Sequence, residues 1–327
     1  MIDRDSQSLP SMLRTLVREG RAHEAALLLG AVPARKGYVD LIAAARLARA
    51  PEGPLVVLSE CTWEPGSRSL SAVLGRALGG LGRRASLDAL TRRAIGAIDG
   101  PRVIYCVLSE EDRQPFIPAW GVPPERVVVT PYGASLSDEE LALPRSRGDD
   151  VFAGGDPLRD YDLLAEAARG LPAEVHIATR RWNPDPAGVP ANVHAGALSH
   201  DEFVTRLNNC GVVVVPMSGG EMRSAGQQTF LNAMALGKPV VISDAVGVRE
   251  YVRDREHALI VPTGDARALH QALAWVLDPV NAEAVEAMVG RARDLVNDRF
   301  RFAHYEGRLL AVVDEQLELL GRRPVGG

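Results

Sequence analysis

VVVVPMSGGEMRSAGQQTFLNAMALGKPVV, from Val212 to Val241, is the stretch on which the fold turns. Its four opening valines, closed by Pro216, read as a strand covered on both faces. A flexible Ser218-Gly219-Gly220 loop follows, Ser224-Ala225-Gly226 opens a helix, and a second strand begins at Pro239. A loop at the carboxyl end of a parallel strand, leading into a helix amino terminus, is a natural anion site, because free N–H groups and the helix dipole favour phosphate there. A plain helix cap by Ser224 is the competing reading, so the rest of the chain has to decide.

Outward from that stretch the same alternation repeats. In the first half, AALLLG (Ala25–Gly30), PLVVLSE (Pro54–Glu60), VIYCVLS (Val103–Ser109) and RVVVTP (Arg126–Pro131) read as strands. Helical patterns such as YVDLIAAARLARA and the segment Ser67–Ile98 lie between them. After Pro131-Tyr132-Gly133 the polar SDEELALPRSRGDD reads as a connection. The second half restarts at Val151 with VFAGG, then AEVHIAT, NVHA, GVVVVP, KPVVIS and ALIVP, and ends in helices. Strands alternating with helices predict an α/β protein with parallel sheets. The boundaries expected are a first domain at 1–140, a second at 141–300, and a C-terminal helix at 301–327 that packs back across the junction.

Composition narrows the function. The chain has 327 residues, 46% hydrophobic and 24% charged, with a net charge of −5, which argues against a dedicated nucleic-acid binder. Only Lys36 and Lys238 among the 37 basic residues are lysines. The Arg-rich stretch from Arg68 to Arg93 reads as a solvated helix face, or as a surface for lipid or an anionic partner. Cys61, Cys106 and Cys210 are widely spaced, so neither a disulfide scaffold nor a zinc site is expected. The charged opening MIDRDSQSLPSMLRTLVREGR lacks the apolar run of a signal peptide, and no stretch is apolar enough to span a membrane. A cytoplasmic protein is expected, with a peripheral membrane location as the alternative.

Several chemistries lack their motif. Gly237-Lys238 is followed by proline and precedes a strand, unlike a P-loop. No GxGxxG follows a strand, and GxSxG is absent. Asp160-Tyr161-Asp162 spells a DxD, a metal-binding string of many sugar transferases, but falls in a helical pattern where capping explains it; no metal site is expected.

The ordered set VFAGG with Arg159-Asp160-Tyr161, NVHAGALSHDEF, VVVVP, SAGQQTFLNAMALGKPVV, SDAVGVREYV and ALIVPTGDARAL, from about 151 to 315, resembles the nucleotide-binding half of GT-B retaining glycosyltransferases, specifically glycosyltransferase family 4 (group 1). GVPPERVVVTPYG weakly resembles the end of that family's acceptor domain. The resemblance implies two Rossmann-like parallel-sheet domains, the first reduced because its opening strand and glycine-rich turn are missing. The family's two glutamates, eight positions apart, correspond to Ser224 and Asn232, so no carboxylate stands at either place. Glu221 is a candidate replacement for the first; Asn232 retains the ability to hold a ribose hydroxyl. The family's phosphate-clamping arginine and lysine correspond to Gly155 and Arg159, and Arg159 is assigned to the diphosphate. Its alternative is a surface salt bridge.

The donor-binding set expected is Gly154, Gly155, Arg159, Thr179, Arg180, Ser224, Ala225, Gly226, Gln227 and Asn232, with Glu221 and Arg159 as the catalytic candidates. Arg181 accompanies Thr179 and Arg180, which a solvent-exposed loop explains equally well; Lys238 reads as structural. On the acceptor side, SECTWEPGSR gathers Glu60, Trp63, Glu64 and Arg68 at a strand end, although Trp63 reads equally as core. The implied activity is metal-independent transfer from a nucleoside-diphosphate sugar, with no cofactor, to a small-molecule, glycolipid or polysaccharide acceptor. A protein partner or a homo-oligomer is compatible with the shortened first domain. The alternative is a noncatalytic GT-B-like subunit that binds or activates another transferase, favoured by the missing glutamates.

Overall fold

The computed structural model describes residues 9–29, 39–50, 52–63, 92–93, 95–156 and 158–322. Two compact units result: the first runs to Pro131 and takes back the chain from Glu306, and the second is Tyr132–Tyr305.

In the first unit β1 (Ala25–Leu28), β2 (Leu55–Leu58), β3 (Val103–Val107) and β4 (Val127–Val129) form a parallel sheet in that order. Every residue of β2 and β3 is buried, as continuous apolar runs require of strands covered on both faces. Helices Leu9–Arg21 and Val39–Ala48 pack together, placing Met12, Leu16 and Leu47 in the core. The strands stop short of the sequence-based expectation because capping takes over. Ser109 leaves β3 to cap helix Glu110–Trp120, its Oγ accepting from the Asp112 N–H at 3.0 Å. In the returning segment, Arg308 donates Nη2 and Nε to the Pro131 carbonyl at 2.8 and 3.1 Å.

The second unit holds β5 (Val151–Gly154), β6 (Val175–Ala178), β7 (Val193–Gly196), β8 (Val212–Val215), β9 (Val240–Ser243) and β10 (Leu259–Val261). All pairs are parallel, in the order β10-β9-β8-β5-β6-β7. Alternate residues serve opposite faces: Phe152, Val213, Val215, Val240 and Ile242 join one core, Val151, Ala153, Val212, Val214 and Val241 the other. From β5 the chain winds outward to β6 on one side and later returns to β8 on the other. The carboxyl ends of β5 and β8 therefore flank the switch point of the sheet, where parallel α/β sheets leave a crevice.

The polar connection is ordered within this unit. Ser137 and Glu140 form a capping box around helix Asp138–Leu141. Apart from residues 92–93 and 95–98, the expected helix Ser67–Ile98 lies outside the described residues.

Candidate functional site

At the end of β5 the chain turns through Gly154-Gly155 and is stitched to the loop after β8. Arg159 and Met217 form an antiparallel bridge, Ser218 N donates to Leu158 O at 3.0 Å, and Asp160 N donates to Pro216 O at 2.9 Å. This pairing holds Arg159 at the switch point. Its guanidinium donates Nε to Gly154 O at 3.3 Å and Nη2 to Thr229 Oγ1 at 3.3 Å, and Nη1 lies 3.0 Å from Met217 Sδ. Removal from water lowers its basicity, an effect opposed by Tyr161 and Asp156. A side chain on Gly155 would bring its Cβ within 3.1 Å of Arg159 Nη2, so the glycine leaves the space that the guanidinium fills.

Helix Gln227–Ala235 begins beside that guanidinium. Its N-cap is Gly226, at φ 95°, not Ser224, and no side chain caps it. Ser224, two residues earlier, is only 1% exposed. A helix amino terminus offers N–H groups and the positive end of the dipole, and this one lies beside the Arg159 cation, whose Nη1 would be 3.6 Å from a Cβ on Gly226. Ala225 packs partly buried against the core, and Glu221 stands half-buried on the loop before it.

Other candidates have structural employment. Asn232 is 7% exposed; its Oδ1 accepts from Ser135 N at 2.8 Å and its Nδ2 lies 3.4 Å from Ser135 Oγ. In this structure its amide bonds within the chain, to the backbone and hydroxyl of Ser135. Thr179 donates Oγ1 to Asp156 Oδ1 and accepts from Arg181 N at 3.1 Å and Trp182 N at 3.3 Å, so it fixes the loop after β6. Arg180 N also donates to Asp156, while the side chains of Arg180 and Arg181 are exposed. Lys238 is buried and donates Nζ to the carbonyl of Ser146, with Cys210 O at 3.5 Å, the structural role expected of it. In the DxD string, Asp160 caps helix Tyr161–Ala167 and Asp162 accepts from Trp182 Nε1 at 2.9 Å. Among the described residues no cluster of His, Cys, Asp or Glu is arranged to hold a metal ion.

In the first unit Trp63 belongs to the core, not to an acceptor wall. It is 5% exposed, and its ring packs against Tyr105, Phe116 and Trp120. Apolar surroundings decide in favour of burial where sequence left both readings open. Glu60 follows β2 with φ 54°, at the carboxyl end of the sheet. Glu64 and Arg68 lie outside the described residues.

The structure therefore brings together Gly154, Gly155, Arg159 and Gly226, and adds Thr229 and Met217 as partners of the arginine and Asp156 as the anchor of Thr179. Thr229 lies in the stretch quoted first; its place one turn into a helix beside a glycine cap was the available signal. Nothing in the sequence ties Met217 to Arg159.

Residues 151–279, less than half of the chain, match the family described as Glycosyl transferases group 1. Over 91 residues the chain is 34% identical to a phosphatidyl-myo-inositol mannosyltransferase of Mycobacterium leprae (strain TN), an alignment spanning 25% of this chain and 24% of that protein. The chain thus matches about a quarter of the length of that curated relative. Among solved structures it is similar to Anabaena Alr3699/HepE in complex with UDP-glucose, with TM-score 0.65 and 14% identity over 94% of this chain and 84% of that one. It is also similar to WaaG, a glycosyltransferase involved in lipopolysaccharide biosynthesis, with TM-score 0.57 and 14% identity over 100% of this chain and 98% of that one. The fold is that of GT-B glycosyltransferases: two α/β units, each with an all-parallel sheet.

Proposed function

We propose that the protein is a glycosyltransferase that takes its sugar from a nucleoside-diphosphate sugar bound on the second unit. The observation that carries this reading is Arg159, held at the β5/β8 switch point against the glycine-capped amino terminus of helix Gln227–Ala235. As the bond from the anomeric carbon to the diphosphate breaks, negative charge collects on the leaving group. Arg159 and the first-turn N–H groups stabilise that charge without a metal, and their placement before reaction makes them effective. Retention of anomeric configuration, with the leaving phosphate taking the acceptor's proton, is the course that accords with a site lacking a carboxylate at positions 224 and 232. HepE, crystallised with UDP-glucose, makes UDP the first nucleotide to try. The acceptor belongs to the small-molecule, glycolipid or polysaccharide class. No helix among the described residues is long and apolar enough to cross a membrane, and we place the activity in the cytoplasm.

Titration calorimetry of Arg159→Ala against Arg169→Ala, an exposed arginine just past the far end of helix Tyr161–Ala167, tests the assignment. Loss of a charge-assisted contact predicts roughly 10- to 100-fold weaker nucleotide binding for Arg159→Ala alone. Equal affinities for the two variants would remove Arg159 from the site.

Two observations favour a second reading, a noncatalytic subunit that binds or activates another transferase. Asn232 is occupied by Ser135, and Ser224 is buried. Release of nucleoside diphosphate from a nucleotide sugar in the presence of acceptor extracts separates the two: turnover supports the transferase, and binding without turnover supports the subunit.

A further inference from the structure

Helix Gln227–Ala235 turns one stripe toward the sheet, and three of its members, Phe230, Leu231 and Met234, are apolar and buried. The fourth, at the i, i+3, i+4, i+7 spacing that defines such a stripe, is Gln227. It is 3% exposed, and its Nε2 is fully buried with no hydrogen-bond partner among the described residues. A buried amide N–H group on an apolar stripe without a partner has lost its hydrogen bonds to water and regained none, so a native protein keeps one there for a reason.

Its position supplies the reason. Gln227 is the first residue of the helix, directly after the Gly226 cap. That end of the helix sits over the end of β8, since a Cβ on Gly226 would lie 3.0 Å from Val215 Cγ1 and 3.6 Å from Arg159 Nη1. Gln227 thus starts its helix at the same strand ends as the arginine, on the first turn after the glycine cap. A phosphate oxygen, which only accepts, is the complement of an N–H donor, and the other two features of this corner select the same chemistry.

We propose that Gln227 is a donor-binding residue whose side-chain amide donates a hydrogen bond to the diphosphate of the nucleotide sugar, in addition to the backbone of its helix. The proposal rests on the donor-site reading above and assigns within it a side chain that acts on the leaving group rather than on the base or the sugar.

The test pairs stability with binding in the full-length protein. Gln227→Leu and Gln227→Met keep the volume and remove the amide. Without ligand both should unfold at the wild-type temperature or above it, because an unsatisfied group has been taken out of the interior. Affinity for the tightest binder among UDP, GDP, dTDP and ADP should fall about tenfold, inorganic pyrophosphate should lose the same factor as a competitor, and the corresponding nucleoside should lose nothing. Unchanged nucleotide affinity in both variants overturns the proposal while leaving the donor site standing. So does a loss seen only with the intact nucleotide sugar, which would move the contact to the sugar. Lowered stability of both ligand-free variants also overturns it, since it would mean that the amide already has an intramolecular partner. Wild-type protein that binds no nucleotide overturns the donor-site reading itself.

Discussion

Replacing Gly226 by alanine isolates how the corner of the site is built. The residue has φ 95°, where an L side chain is strained by about 1–2 kcal/mol. The new Cβ would also lie 3.0 Å from Val215 Cγ1 and 3.3 Å from Met217 Sδ, both buried, so crowding adds about 1–3 kcal/mol. Together these predict a loss of about 2–5 kcal/mol, or roughly 4–15 °C in the midpoint of the second unit. Gly170 is the control. Its φ is 76° and a Cβ there meets nothing within 4 Å, so Gly170→Ala carries the backbone cost of about 1–2 kcal/mol alone. Because Met217 Sδ is a contact of Arg159 Nη1, Gly226→Ala should also weaken nucleotide binding several-fold while Gly170→Ala leaves it intact. Differential scanning fluorimetry and calorimetry on both variants suffice. Equal stability losses, with nucleotide affinity unchanged in both, would refute the packing argument.

Asn232→Ala should cost about 1–3 kcal/mol in thermal unfolding because it orphans the Ser135 N–H, whereas Asn232→Asp, which keeps an acceptor, should cost less; equal losses would dissociate Asn232 from Ser135. Burial holds His257 and His176 below the usual histidine range, with Arg206 adding to the effect at His176. The unfolded chain then binds more protons as pH falls toward and below about 6.5, so their contribution is complete above that value and lost on acidification. The unfolding midpoint should decline from about pH 7.5 to about pH 5.5, and less steeply in His257→Asn, which preserves an acceptor for the Arg253 N–H now bonded to Nδ1 at 3.2 Å. Identical slopes would exclude His257. Burial raises the thiols of Cys106 and Cys210 to about 12 and that of Cys61 likewise upward, so a thiol reagent at mildly alkaline pH should label none of the three until the protein unfolds. Rapid labelling of the native protein would contradict their burial.

The parallel strands were legible because they are short, apolar and separated by helical periods: VVVV admits little but a strand buried on both faces. The anion-binding corner was legible from the order of strand, glycine loop and helix start. Its details were not. Whether Ser224 or Gly226 caps the helix depends on a backbone angle that neither residue type dictates. The bond between Asn232 and Ser135 was not legible, because the two lie 97 residues apart and only folding brings them together. Trp63 read as acceptor wall or as core until the ring of Trp120 and its Nε1, 3.3 Å from the Trp63 carbonyl, placed it inside. Gln227 entered the expected donor-binding set by its place at the helix start; that its amide is buried without a partner was not legible, since a glutamine there is ordinarily solvated.

Donor binding stands or falls with a nucleoside-diphosphate site on the second unit, built around Arg159. Thermal unfolding with UDP, GDP, dTDP and ADP, each with and without EDTA, tests it most directly, with Arg159→Ala measured alongside. At about a hundred times its dissociation constant, the right nucleotide should stabilise the wild-type protein by roughly 2.7 kcal/mol, with or without EDTA. Arg159→Ala should show little of that shift. No stabilisation by any of the four, or stabilisation that Arg159→Ala retains in full, would contradict the claim.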